Sequence, residues 1–318
     1  MQEIEIMPTS RLFTVATIRK SAEGDVTEFL FNESPRIFRL EQMPESAARS
    51  APEIIDSLEK KRPVKIDIDP VKDVIKKIQP ATEADFRGLQ AERALLENPQ
   101  KPKVIDVSKI DPTTFDVIDH YLDVAIFKLC AKVVPSYKKA KEIFDYCAAQ
   151  GCALPEPHEV NPCIPFQYVR DGCYARAHKM RWIITTKYKY CCEKVFSFAN
   201  KDLDRLAVQA SKWGGCCVTW WYHVAPLIRV KVKIGTFSLN LAMVIDPGMF
   251  DKPVLLSEWL AAQANKACSP NAKVSMYSIQ PGSAYSPSNY EGTAYTTDNL
   301  YASTDATLTA YKNLKTCP

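Results

Sequence analysis

All eleven cysteines of this 318-residue chain lie between Cys130 and Cys317, and residues 1–129 contain none. No other feature limits the fold as strongly. Cysteines at this density point to an oxidising compartment and a disulfide-stapled back half, because cytosolic thiols are kept reduced. The odd count leaves at least one thiol over unless it pairs between chains. A zinc site is the weaker reading, since no C-x-x-C pair or His/Cys cluster has metal-ligand spacing. Most of the eleven are therefore expected to be structural. The adjacent pairs Cys191-Cys192 and Cys216-Cys217 are expected to bond distant partners rather than each other. Cys152 and Cys163, which close the Pro-rich loop CALPEPHEVNPC, are the first disulfide candidates.

Charge divides at the same place. Residues 1–129 carry 23 acidic and 19 basic groups, net −4; the remaining 14 of 37 acidic and 22 of 41 basic groups lie in residues 130–318, net +8. An acidic, cysteine-free front half followed by a basic, cysteine-dense back half reads as two modules with different tasks. The length suits two domains, each with its own core. No apolar run approaches the roughly 20 residues that span a bilayer. The start, MQEIEIMPTS, lacks the basic and apolar regions of a secretory signal, so an exported protein would have lost its signal already. The basic back half has no Lys/Arg cluster interleaved with stacking aromatics, which argues against nucleic acid.

The front half alternates strand-like and helix-like segments. RLFTVATIRK, DVTEFLFN and RIFRLE are rich in β-branched and aromatic residues, and VKIDIDP and KVIDVSKID alternate with period two. SAPEIIDSLEKK begins with Ser50 as an N-cap candidate, and Thr82 with Asp85 three residues on forms a capping box ahead of TEADFRGLQAERALLEN. This is a compact α+β pattern without a catalytic constellation; its one histidine, His120, carries no evident role. Beyond a junction near 111–135, Pro135 suits the first turn of a helix through SYKKAKEIFDYCAAQ, which Gly151 stops. CCVTWWYHV, LIRVKVKIG and TFSLNLAMVID are strand candidates and LLSEWLAAQANKA is a helix. The last forty residues read as surface loops and short strands tied down by Cys317.

One cysteine stands apart. In VRDGCYARAHKMRW, Asp171-Gly172 turns the chain into a helix that begins at or near Cys173. A thiol in a helix's first turn faces unsatisfied N–H groups and the positive dipole end, which favour thiolate and can also hold an oxyanion. Taken alone this is weak evidence, since a free cysteine is usually a small buried apolar residue. A nucleophile also needs a base and an orienting group. His178 lies five residues along the same helix on another face and reads as structural, as does His158 in its loop. His223, in the strand VTWWYHV, is the better base, with alternation placing it on the face of Trp221. Asp246, where SLNLAMVIDPGMF runs into a turn, is placed to hold the imidazole through Nδ1–H. A packed histidine and an Asp-Pro-Gly turn explain each residue separately. The order Cys-helix, His-strand, Asp-strand is that of papain-like and transglutaminase-like acyl transfer.

DGCYARAHKMR at 171–181, CCVTWWYHVA at 216–225 and VIDPGMF at 244–250 closely resemble bacterial secreted protein-glutaminases. CEKVF at 192–196, YSPSN at 285–289 and the stretch 133–166 match more weakly. The resemblance implies hydrolysis of the side-chain amide of protein-bound glutamine, with Cys173 as nucleophile, His223 as base and Asp246 as orienting acid, and no cofactor or metal. It implies an α+β architecture: an N-terminal α+β pro-domain, residues 1–129, and a catalytic domain, residues 130–318, with a helix-borne cysteine packed on an antiparallel sheet, the transglutaminase-like or papain-like core. It further implies a secreted, monomeric protein whose pro-region blocks the active site until a protease removes it. We expect the acidic pro-region to dock on the basic half. The nearest rival is a transglutaminase, which passes the same thioester to a primary amine. A papain-like protease fits less well, because Tyr174 stands where a Trp would follow the nucleophile. A disulfide-rich binding module would leave Cys173 cross-linked.

Overall fold

Short runs of β-branched and aromatic residues favour extended backbone, and in the front half they pair into one sheet. The computed structural model describes residues 9–21, 26–40, 44–69, 72–85, 131–155, 158–200, 203–234 and 237–317. Strands β1 (Thr9–Phe13), β2 (Val15–Lys20), β3 (Thr27–Phe31), β4 (Ser34–Leu40), β5 (Val64–Ile68) and β6 (Val74–Pro80) are ordered β1-β5-β6-β4-β3-β2. In β5 the period-two pattern places Val64, Ile66 and Ile68 inside. They meet Phe13, Phe31, Phe38 and Ile54 in a front-half core. Helix α1 (Pro44–Lys60) covers this sheet. Ser50 is thus inside α1 rather than capping it, because the helix begins at Pro44, a residue suited to a first turn. The expected capping box at Thr82 forms, with Asp85 accepting from Thr82 N–H at 2.8 Å and Thr82 Oγ1 accepting from Asp85 N–H at 3.2 Å. KVIDVSKID and His120 lie outside the described residues.

The back half is built around helix α3. Helix α2 (Tyr137–Ala149) starts two residues after Pro135, which lies outside its first turn, with Ser136 as its cap. Then come α3 (Cys173–Thr186), β7 (Glu193–Phe198), β8 (Leu206–Gln209), a 3₁₀ turn Ser211–Trp213, β9 (Cys217–Trp220), β10 (Tyr222–Ile234), β11 (Phe237–Val244), β12 (Val254–Leu255), α4 (Leu256–Ala262), β13 (Met276–Gln280), β14 (Ala284–Pro287), β15 (Tyr295–Thr297) and α5 (Ala302–Tyr311). Strands β12-β11-β10-β7-β13 form an antiparallel five-stranded sheet, and α3 packs against β10, α5 and β14. The HV and LIRVKVKI segments fuse into the single strand β10. The C-terminal stretch differs from expectation too. It contains α5, whose Thr304, Leu308 and Tyr311 are buried, because α3 is apolar or enclosed on every side and needs a cover.

The halves are not separate bodies. Strand β9 pairs with β8 and with β4, where Arg36 faces Trp220, so the front sheet continues into the back half as eight strands. Ala16, Leu30 and Ile37 share one core with Cys173, Trp221 and Tyr222. Disulfides Cys152–Cys163, Cys216–Cys317 and Cys217–Cys268 staple the back half, and Cys191 is also disulfide-bonded.

Candidate active site

Asp171-Gly172 turns the chain into α3. Gly172 has φ +74°, and a Cβ there would lie 2.9 Å from the Tyr311 ring, so glycine is required both for the turn and for close packing. Arg176 Nη1 holds the approach by donating to Tyr168 O at 2.7 Å and to Asp171 O at 2.5 Å. The Trp220 indole N–H donates to Val169 O and Arg170 O, each at 3.1 Å. Asp171 accepts from Gly172 N–H at 2.6 Å and from the Tyr311 hydroxyl at 2.9 Å. Cys173 therefore opens α3, is buried, and receives the backbone N–H of Val224, the residue after His223.

The strand VTWWYHV is broken at Trp221, where the chain passes from β9 in one sheet to β10 in the other. The break undoes the simple alternation: Trp220, not Trp221, lies against His223, with ring centroids 4.6 Å apart and planes 9° apart. Trp259 of α4 stacks on the same imidazole at 5.4 Å. Asp246 accepts from His223 Nε2 at 2.9 Å and from the Trp259 indole N–H at 3.0 Å. The carboxylate thus takes Nε2 rather than the expected Nδ1, because Asp246 enters from β11, beside α4. His223 Nδ1 is buried and has no hydrogen-bond partner among the described residues. With Nε2 donating, Nδ1 carries the lone pair that a base uses.

Burial alone would raise the Asp246 pKa, but the His223 bond and charge, the Trp259 bond and Arg176 outweigh it and hold Asp246 below the usual carboxylate range. Cys173 behaves otherwise. Burial pushes its thiol up to about 12, against the helping effects of Arg176 and the Val224 N–H, with Asp171 and Asp246 adding to the rise. The low-pKa thiolate expected of a helix start is absent here because burial outweighs the helping effects, in a core to which Ala16, Leu30 and Ile37 of the front half contribute. Ser34 donates its hydroxyl to Asp171 at 2.9 Å, and Trp221 gives its indole N–H to Ser34 O at 2.7 Å and its backbone N–H to Pro35 O at 2.9 Å. Arg11 bonds the Tyr311 hydroxyl and stands 3.9 Å from Asp171. Asp73 bridges Arg36 at 2.5 Å and Arg170 at 3.2 Å; Glu28 bridges Arg19 at 3.0 Å and Arg205 at 2.8 Å. The last two clusters have the acidic-on-basic sense expected from net charge, while Arg11 and Asp171 run the opposite way.

Sequence reasoning missed Trp259, whose only signal was a tryptophan on an otherwise ordinary amphipathic helix, and the Asp171–Tyr311 pair, which joins residues 140 apart. Cys147, Cys173 and Cys192 are the free thiols among the described residues. His178 is buried, with Lys194 Nζ 2.6 Å from Nδ1 and Asp298 O 3.0 Å from Nε2, and belongs to the scaffold. His158 lies 3.0 Å from Gly151 O.

The family described as Glutaminase matches residues 140–263. No curated protein matches the chain. A crystal structure of pro-protein-glutaminase is 26% identical, with a TM-score of 0.67, 96% of this chain covered and 93% of that one. A crystal structure of protein-glutaminase is 35% identical, with a TM-score of 0.50, 59% of this chain covered and 92% of that one. The pro-protein-glutaminase structure thus spans nearly the whole chain and the protein-glutaminase structure a little over half of it. The chain belongs to the protein-glutaminase family.

Proposed function

We propose that this protein hydrolyses the side-chain amide of glutamine in proteins or peptides to glutamate and ammonia, through a thioester on Cys173, and that it is made as a zymogen. The observation that carries the reading is the imidazole of His223: Nε2 is held by Asp246, while Nδ1 is buried and unpartnered in the residue adjoining the Val224 N–H that meets the Cys173 sulfur. His223 Nδ1 takes the Cys173 proton and the thiolate attacks the glutamine Cδ. The imidazolium returns that proton to the departing nitrogen, so ammonia leaves and a γ-glutamyl thioester remains. Water, deprotonated by His223, adds to the thioester; the C–S bond breaks and the proton passes to the sulfur. Asp246 stays ionised and orients the ring throughout.

Residues 1–129 act as the pro-region and 130–318 as the catalytic unit. The contacts of Ser34, Pro35 and Arg11 keep substrate from Cys173 until a protease cuts the chain. The disulfides suit an extracellular enzyme. No observation favours a primary amine over water as acceptor. The test is to express the full chain, activate it by limited proteolysis, and offer a glutamine-containing protein with a primary amine present. Ammonia with a glutamate product, absent in Cys173→Ala, is the expected result. An amine adduct would make the enzyme a transglutaminase, and no ammonia would return Cys173 to a structural role.

A further inference from the structure

Tyr222 immediately precedes His223 at the start of β10, and its side chain therefore lies on the opposite face of the strand. That face packs against α3, and Tyr222 shares a core with Cys173 and Tyr174. The ring is fully buried, yet its hydroxyl has no hydrogen-bond partner among the described residues. A buried, unpaired hydroxyl costs roughly 1–3 kcal/mol, and such groups in native proteins call for a reason. Phenylalanine would fill the same space without that cost.

The surroundings supply the reason. Apart from burial, the strongest influence on the Tyr222 hydroxyl is the Cys173 sulfur, ahead of Tyr174, Asp171 and Tyr285. These neighbours and the lack of solvent hold the hydroxyl well above its ordinary pKa, so it keeps its proton and remains a donor. The neighbouring Tyr311 hydroxyl is already engaged by Asp171 and Arg11. An idle O–H donor in the core that also holds Cys173 matches the one part that a thioester pathway still lacks, a side-chain donor for the oxygen that becomes negative when sulfur adds to the amide carbon.

We propose that the Tyr222 hydroxyl is a catalytic residue that donates a hydrogen bond to the oxyanion of both tetrahedral intermediates, formed when Cys173 attacks the glutamine amide and when water attacks the thioester. The hydroxyl keeps its proton in both steps, so no charge or atom is exchanged. The assignment rests on the glutaminase reading above.

The test is Tyr222→Phe in the full-length chain, activated by proteolysis beside the wild type. We expect kcat to fall about 10²-fold, the size typical for loss of one oxyanion donor, with KM changed by less than about threefold. Thermal stability should be equal or higher, because the variant removes an unpaired polar atom. A peptide carrying the γ-aldehyde of glutamate, which forms a tetrahedral adduct with a thiolate, should bind the variant more weakly by a similar factor. A variant with wild-type kcat, or one changed only in KM, overturns the assignment while leaving the function intact. A wild-type enzyme that releases no ammonia overturns both.

Discussion

Trp259 does two separable things to the His223–Asp246 pair: its ring stacks on His223, and its N–H bonds Asp246. Trp259→Phe keeps an aromatic ring there and deletes the donor. Loss of a buried hydrogen bond to a carboxylate should cost about 1.5–3 kcal/mol, read by urea unfolding. The pH dependence follows from the sign of the Asp246 shift. The Asp246 pKa is lower in the folded chain than its ordinary 3.8, so its contribution is present above that value and lost as pH falls through the folded value. Removing the Trp259 donor raises the folded pKa, so acid destabilisation should set in at higher pH in the variant than in the wild type. An unchanged acid limb would mean that His223 alone holds the carboxylate. Asp246 and His223 were legible from motif order, but which ring nitrogen the acid holds was not, since that depends on the side from which β11 brings the carboxylate.

At the scale of elements, two irregular points set the site: the left-handed turn at Gly172 and the strand break at Trp221. Gly172→Ala places a methyl 2.9 Å from the Tyr311 ring and puts a Cβ in a conformation that costs about 1–2 kcal/mol. We expect a clear loss of thermal stability. We also expect a fall in kcat on the order of 10²-fold, because the first turn of α3 must shift and a displacement of about 1 Å suffices for that. A variant as active as the wild type would show that the turn tolerates other geometry. The helix start was visible in the sequence as Asp-Gly before a helical run. The break at Trp221 was not, since an unbroken aromatic and β-branched run looks like a continuous strand. Alternation through that run put the wrong tryptophan beside His223.

For the whole molecule, the shared sheet and core explain latency. Cys173 is buried in a core that Ala16, Leu30 and Ile37 of the front half share, and its thiol is protonated at neutral pH. Iodoacetamide at pH 8 should therefore leave it unmodified in the intact chain and label it after proteolytic activation. Cys147 and Cys192, buried and raised in pKa chiefly by that burial, should stay unlabelled in both states. Peptide mass mapping reads the difference, and labelling of Cys173 in the intact chain would rule out a closed site. Asp73 ties the halves together by pairing with both Arg36 and Arg170. Asp73→Ala strands the buried Arg36 charge at a cost of roughly 3 kcal/mol. The intact variant should then show measurable labelling and residual activity where the wild type shows neither.

Legible from the residues alone were the composition break near residue 129, the disulfide-rich back half, and the helix start and strand segments that carry Cys173, His223 and Asp246. Each of these is local: cysteine density, turn residues and side-chain periodicity act over a few neighbours in the chain. Tertiary structure decided what those residues do to one another. It chose Nε2 of His223 for Asp246, placed Trp220 and Trp259 against the ring, buried α5 beneath a helix enclosed on every side, and joined β4 of the front half to β9 of the back. It also reversed the expected state of the Cys173 thiol, because the helix terminus favours a thiolate only modestly, whereas burial opposes any charge on sulfur.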